Sequence, residues 1–260
     1  MKLAFIGMGN MASALAGGFL ASGKLTGADI VAFDPDAAKL AAKAAQMGFS
    51  TAATAAQAVE QADTVLIACK PAQVEDAVAS VRELLTGKAL LSIALGWDFA
   101  RYATILPAGV RVQFVMPNTP AMVGEGVFLF EKTSSLTDTE LAAVKDLFGA
   151  VGMVRTLPSN LMKIGGALTG CGPAFVDLML EAFADAAVLY GIPRATAIEL
   201  TSQMVLGSAK LQKVTGEHPG VLKDMVCSPA GSTIRGVAAL EKQGFRDACI
   251  SAITAIMEME

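Results

Sequence analysis

Residues Leu3 to Ala16 read LAFIGMGNMASALA. An apolar run, Leu3-Ala4-Phe5-Ile6, reaches Gly7, and Gly9 and Ala12 complete a G-x-G-x-x-A spacing just ahead of helix-forming residues. A buried parallel strand that ends in a glycine turn and opens a helix presents its backbone amides to a pyrophosphate. Gly7 permits the turn, Gly9 admits phosphates close to the backbone, and Ala12 keeps helix and strand together. The helix start carries about +0.5 of a charge, which favours the anion. Gly7, Met8, Gly9, Asn10 and Met11 are therefore the first candidate cofactor-binding residues. A plain strand-turn-helix of an α/β domain would show a similar pattern.

Working outward, the same period repeats. Strands are expected over Asp29–Phe33, Ala62–Cys69, Ala89–Ala94 and Val110–Val115, with helices over Asn10–Ser22, Ala37–Met47 and Gln73–Leu85 between them. This alternation predicts a Rossmann-type, doubly wound parallel sheet. Gly126–Phe130 and Met153–Leu157 flank a helix over Asp138–Phe148 and should extend the sheet at its edge. Ligands of such sheets sit outside the carboxyl ends of the strands. That rule adds Asp34, Lys70-Pro71, Ala94 to Gly96 and Met116 to Asn118 to the cofactor rim, and Ala68, Cys69 and Asn118 are also candidate cofactor-binding residues. An acid at the end of the second strand receives ribose hydroxyls and repels a 2′-phosphate, so Asp34 favours NADH over NADPH. Asp34 could instead simply open the Asp34-Pro35 turn or cap the next helix. Lys39 and Lys43 stay within reach of a phosphate.

From Pro158 onward the strand signals stop. The expected division is 1–157, a dinucleotide-binding domain, and 158–260, an all-α substrate and dimerisation domain. Helices are expected over Asn160–Leu168, Gly172–Tyr190 and Pro193–Val214. Asp177, Glu181 and Asp185 share one helix face, as a solvated stripe or as the lining of a cleft or subunit interface. The segment Glu217 to Gly236, EHPGVLKDMVCSPAGSTIRG, breaks helical periodicity twice with proline. Its small residues Ser228 to Thr233 feed a helix expected from Ile234 to Gln243. A loop of this kind is a carboxylate cradle, or an ordinary turn capped by Ser232 or Thr233.

Composition narrows the function classes. The chain of 260 residues is 53% hydrophobic and 17% charged, with a net charge of -4. Low charge points to apolar helix faces covered by a second subunit, or to a merely Ala-rich core. No basic cluster marks a nucleic-acid partner. Four dispersed cysteines and one histidine, His218, exclude a metal-ligand spacing and a histidine relay. Reduced thiols and the lack of a leader pattern lead to the expectation of a cytoplasmic protein. Apolar runs are interrupted too early for a membrane span.

At Gly7-Met8-Gly9-Asn10-Met11, Lys70-Pro71, Met116-Pro117-Asn118-Thr119-Pro120, Gly170-Cys171-Gly172-Pro173-Ala174-Phe175 and His218-Pro219-Gly220 through Thr233, the chain resembles pyrroline-5-carboxylate reductase. The likeness runs from Lys2 to about Met257. It implies hydride transfer from NADH or NADPH to the imine of 1-pyrroline-5-carboxylate, giving L-proline in the last step of proline biosynthesis. It further implies that the Gly231-Ser232-Thr233 amides hold the substrate carboxylate, with Val226 and Ser228 also at the substrate. The Thr233 hydroxyl would bond the ring nitrogen as the catalytic orienter. Asn118 and the Ala94–Gly96 turn would border the nicotinamide. Relatives form homodimers through their C-terminal helices and often pentamers of dimers. A protonated cyclic imine is already electrophilic, so the chemistry asks for positioning and needs no metal.

The chain departs from the family pattern at three places. Cys171 stands where serine is frequent, Ala230 stands where glycine is commoner, and the asparagine many relatives carry near Ala55 is missing. Ala230 is the awkward one, because alanine takes positive φ at a cost glycine escapes. Rival readings are a β-hydroxyacid or related imine oxidoreductase, a deazaflavin-dependent NADP reductase, and a non-catalytic nicotinamide sensor. The first would place asparagine four residues after a helix-borne lysine, where Lys163 is followed by Ala167.

Overall fold

The computed structural model describes residues 1–259. The chain divides into two compact units, Met1–Gly170 and Cys171–Glu260.

In the first unit, strands β1 (Leu3–Ile6), β2 (Ile30–Phe33), β3 (Ser50–Thr51), β4 (Thr64–Ile67), β5 (Ala89–Ser92), β6 (Arg111–Met116), β7 (Gly126–Glu131) and β8 (Gly152–Leu157) form one sheet among the described residues. Their order is β3-β2-β1-β4-β5-β6-β7-β8. The first six run parallel in the order of a dinucleotide-binding sheet. Strand β7 turns antiparallel to β6, and β8 pairs parallel to β7, which extends the edge as predicted.

Alternation along β1 sends Leu3 and Phe5 to one face and Ala4 and Ile6 to the other. Helices α1 (Asn10–Ala21), α2 (Ala37–Met47) and α6 (Asp138–Gly149) cover the first face. There the Phe148 ring meets Phe19, Phe128 and Phe130 edge-on at 5.1–5.6 Å. Helices α3 (Ala55–Glu60), α4 (Val74–Ala79) and α5 (Phe99–Ala103) cover the second, over Val65, Ile67, Trp97 and Tyr102. Burial on both faces explains why these strands read as continuous apolar runs.

Three elements escape the periodicity: β3, α3 and α5. They have two, six and five residues, too few for a period to register. The helix expected over Gln73–Leu85 is broken. Ser80 ends α4 with its hydroxyl folded back on the Ala77 carbonyl, and Val81 leaves helical geometry at φ -128. The helix expected over Asn160–Leu168 is likewise divided, into a 3-10 turn, α7 (Met162–Gly166) and a π turn over Ala167–Cys171. The glycine pair in α7 lets that helix lie directly on the sheet, since a Cβ at Gly166 would fall 2.0 Å from the Met116 sulfur.

The second unit is helical: α8 (Gly172–Leu189), α9 (Arg194–Thr215), α10 (Pro219–Met225), α11 (Ser232–Lys242) and α12 (Phe245–Met257). Helix α10 stands where proline suggests a break. Pro219 occupies its first turn, where the missing N–H costs nothing. The His218 Nδ1 accepts the Gly220 N–H at 3.1 Å and caps it. Among the described residues of this unit, only Ala184, Ala197 and Thr201 are buried. Leu178, Leu206 and Ile250 stay more than half exposed.

Candidate active site

Gly7 closes β1 with φ +96, and a Cβ there would meet the Cys69 nitrogen at 2.7 Å. Only glycine allows this turn to lie against the end of β4. A Cβ on Gly9, by contrast, would meet no protein atom within 4 Å. The space beside Gly9 is therefore open to a ligand. Gly9 is also the N-cap of α1, and no side chain caps that helix. Unsatisfied amides at an uncapped helix start, with clear space in front of them, fit a pyrophosphate. Asn10 lies exposed at the mouth, Met11 is half-buried, and Met8 is buried beneath the turn.

Two charged side chains hold the Met8 peptide from opposite sides. The Asp34 carboxylate accepts the Met8 N–H at 2.7 Å through one oxygen and the Asp36 N–H at 3.0 Å through the other. The Lys43 ammonium donates to the Met8 carbonyl at 2.6 Å and to the Ser13 hydroxyl at 2.5 Å. Burial, then the neighbouring Lys39, pulls the Lys43 pKa below the usual lysine value, against the pull of Asp34. The sequence marks Lys43 only as a cation near a phosphate; in the structure it braces the loop. Nothing in its place along α2, well beyond the Asp36 cap, signals that role.

The remaining rim residues fall at the carboxyl ends of neighbouring strands. Ala68 and Cys69 follow β4 against Gly7. Burial raises the Cys69 thiol above its ordinary value. Lys70 and Pro71 are exposed beyond it. Ala94 is buried and Gly96 exposed at φ +77 after β5. Asn118, after β6, is buried with both ends of its amide used. Its nitrogen donates to the Thr169 carbonyl at 3.0 Å, and its oxygen accepts the Val127 N–H at 2.7 Å. The side chain thus ties the start of β7 to the π turn.

In the second unit, Ser228, Pro229, Ala230 and Gly231 form a tight turn closed by the Gly231 N–H on the Ser228 carbonyl at 3.0 Å. Ala230 takes φ +57, the one non-glycine residue with positive φ among those described. Gly231 is the N-cap of α11, so Ser232 and Thr233 lie inside its first turn. Neither serves as the cap. Thr233, Ser232, Ser228 and Val226 are all exposed. The helix start offers free amides and hydroxyls to a carboxylate.

The chain matches two family models, "Pyrroline-5-carboxylate reductase dimerisation" over residues 159–260 and "NADP oxidoreductase coenzyme F420-dependent" over residues 2–96. It is 39% identical to the pyrroline-5-carboxylate reductase of Escherichia coli (strain K12), over 99% of this chain and 96% of that one. The enzyme of Treponema pallidum is 38% identical over 99% of both chains. The chain belongs to the pyrroline-5-carboxylate reductase family. It is an oxidoreductase that uses NADH or NADPH. The structure of Plasmodium falciparum pyrroline carboxylate reductase with NADP bound superposes with a TM-score of 0.90, at 29% identity, covering 99% of this chain and 96% of that one. The deazaflavin-type model accounts for the nucleotide-binding half alone, whereas the reductases account for the whole length.

Proposed function

We propose that this chain reduces 1-pyrroline-5-carboxylate to L-proline, the last step of proline biosynthesis, with NADH preferred over NADPH. The observation that carries the reaction is membership of the reductase family over 99% of the chain, and the Asp34 carboxylate after β2 carries the cofactor preference. The amides of Ser232 and Thr233 receive the substrate carboxylate, where the start of α11 favours an anion; the Gly231 N–H, expected to join them, is already spent on the Ser228 carbonyl. Val226 and Ser228 flank it. The Thr233 hydroxyl bonds the ring nitrogen and orients the imine. Gly7 to Met11 take the pyrophosphate, Asp34 faces the adenosine ribose, and residues 68–71, Ala94, Gly96 and Asn118 frame the nicotinamide end. When bound, the reduced nicotinamide supplies a hydride to the carbon of the protonated imine, leaving the ring amine of proline. A threonine hydroxyl is a weak acid, so Thr233 acts mainly by orientation, and proximity accounts for most of the acceleration.

Self-association completes the second unit in this reading. Helices that bury three residues by themselves and expose leucines and isoleucines need an apolar partner. A homodimer supplies one, and a pentamer of dimers is the further assembly we expect. No helix among the described residues is long and apolar enough to cross a membrane. The four cysteines are free thiols, which suits the cytoplasm.

The deciding experiment follows nicotinamide absorbance with 1-pyrroline-5-carboxylate and each cofactor. Turnover with a larger kcat/KM for NADH is expected. NADH binding without turnover would instead favour a nicotinamide sensor.

A further inference from the structure

The strand-end loops after β4 and β5 are joined by one side chain. Trp97, the only tryptophan in the chain, is 2% exposed, and its indole Nε1 donates to the Pro71 carbonyl at 2.9 Å. Its own backbone N–H closes the turn on the Ala94 carbonyl at 3.1 Å. Below the turn, the Ser92 hydroxyl accepts the Ala94 N–H at 3.2 Å and the Tyr102 hydroxyl at 2.9 Å. Above it, the Arg101 guanidinium sits 3.9 Å over the indole and donates to the Gly96 carbonyl at 3.2 Å. The 94–97 turn is thereby tied to β5, to α5 and to Pro71.

We propose that Trp97, with Arg101 stacked on it, is a positioning residue that fixes Pro71 and Gly96 as one rigid rim for the nicotinamide end of the cofactor. The inference rests on the reading of those loops given above. A rim held in advance costs nothing to order when the cofactor arrives, and a hydride donor tolerates little misplacement. Trp97 touches neither reactant in this scheme; it acts through Pro71 and the Ala94–Gly96 turn.

The test separates the two ends of the cofactor. Trp97→Phe keeps an aromatic ring and deletes the donor. Arg101→Ala removes an exposed side chain, so folding is not at stake. For each, dissociation constants for NADH and for ADP-ribose, which lacks the nicotinamide, are measured by calorimetry. NADH should weaken by about three- to tenfold, the worth of one net hydrogen bond, while ADP-ribose stays within about twofold. In steady state, kcat should fall with KM for the imine unchanged. NADH and ADP-ribose weakening together would mean a merely structural role and overturn the proposal, as would no change in either. Failure of wild-type protein to bind ADP-ribose would overturn the nucleotide reading itself, and this proposal with it.

Discussion

The Asp34 carboxylate accepts the Met8 N–H at 2.7 Å, so the acid that ends β2 also holds the glycine turn that ends β1. In the proposed reading, one side chain links ribose recognition to the shape of the phosphate loop. A 2′-phosphate arriving here would meet a carboxylate already anchored by two amides. Asp34→Ser should lower the ratio of kcat/KM for NADH over NADPH by at least about tenfold, since like-charge repulsion of about 1.4 kcal/mol is removed. Steady-state kinetics with both cofactors decide it. An unchanged ratio would count against the ribose assignment.

Thr233 lies in the first turn of α11 with its hydroxyl exposed. Thr233→Ala should reduce kcat/KM for the imine by about 10- to 100-fold, the worth of a hydrogen bond to a charged group. The dissociation constant of NADH should remain within about twofold. If calorimetry shows cofactor binding collapsing instead, the residue has been given the wrong partner.

Ala230 holds φ +57 at the centre of the Ser228–Gly231 turn. An L-residue in the left-handed region costs about 1–2 kcal/mol, partly offset because glycine has more freedom to lose on folding. Ala230→Gly should therefore stabilise the chain by about 0.5–1 kcal/mol, read as a higher urea midpoint. A lower midpoint would show that the alanine methyl packs favourably.

Glu140 binds Arg111 through both carboxylate oxygens at 2.7–3.0 Å and accepts the Thr137 N–H at 2.9 Å. The Arg111 guanidinium, ahead of the Thr137 bonds, holds the Glu140 carboxyl down to about 2, from 4.5. A carboxyl with a depressed folded-state pKa stabilises fully above its unfolded value. That contribution is lost as pH falls from about 4.5 through about 2. Glu140→Gln should cost about 1–2 kcal/mol at neutral pH, and the difference from wild type should shrink steadily below pH 4.5. Thermal unfolding across this range checks it; a difference independent of pH would assign the loss to packing.

That β1, β2, β4, β5 and β6 are strands is legible in the sequence because both faces of each are buried. A buried strand must be apolar throughout, and Leu3 to Ile6 or Thr64 to Ile67 advertise themselves whatever their neighbours. Gly7 is legible for a similar reason: its conformation is demanded by local backbone geometry. The break in the helix after Ser80 and the short helix after His218 are not. Each depends on one side chain bonding a nearby main-chain group, which leaves no periodic trace.

What the chain's own order of residues determined is the alternating architecture, the nucleotide turn and the small-residue loop before α11, all of them local consequences of chain stiffness and burial. Tertiary structure alone decided that Lys43 braces Met8, that Trp97 bonds Pro71 and that Asn118 spends its amide on Val127 and Thr169. Those pairs are brought together by sheet order and helix packing. Hydrogen bonds between residues distant in sequence form only once the core has set their spacing.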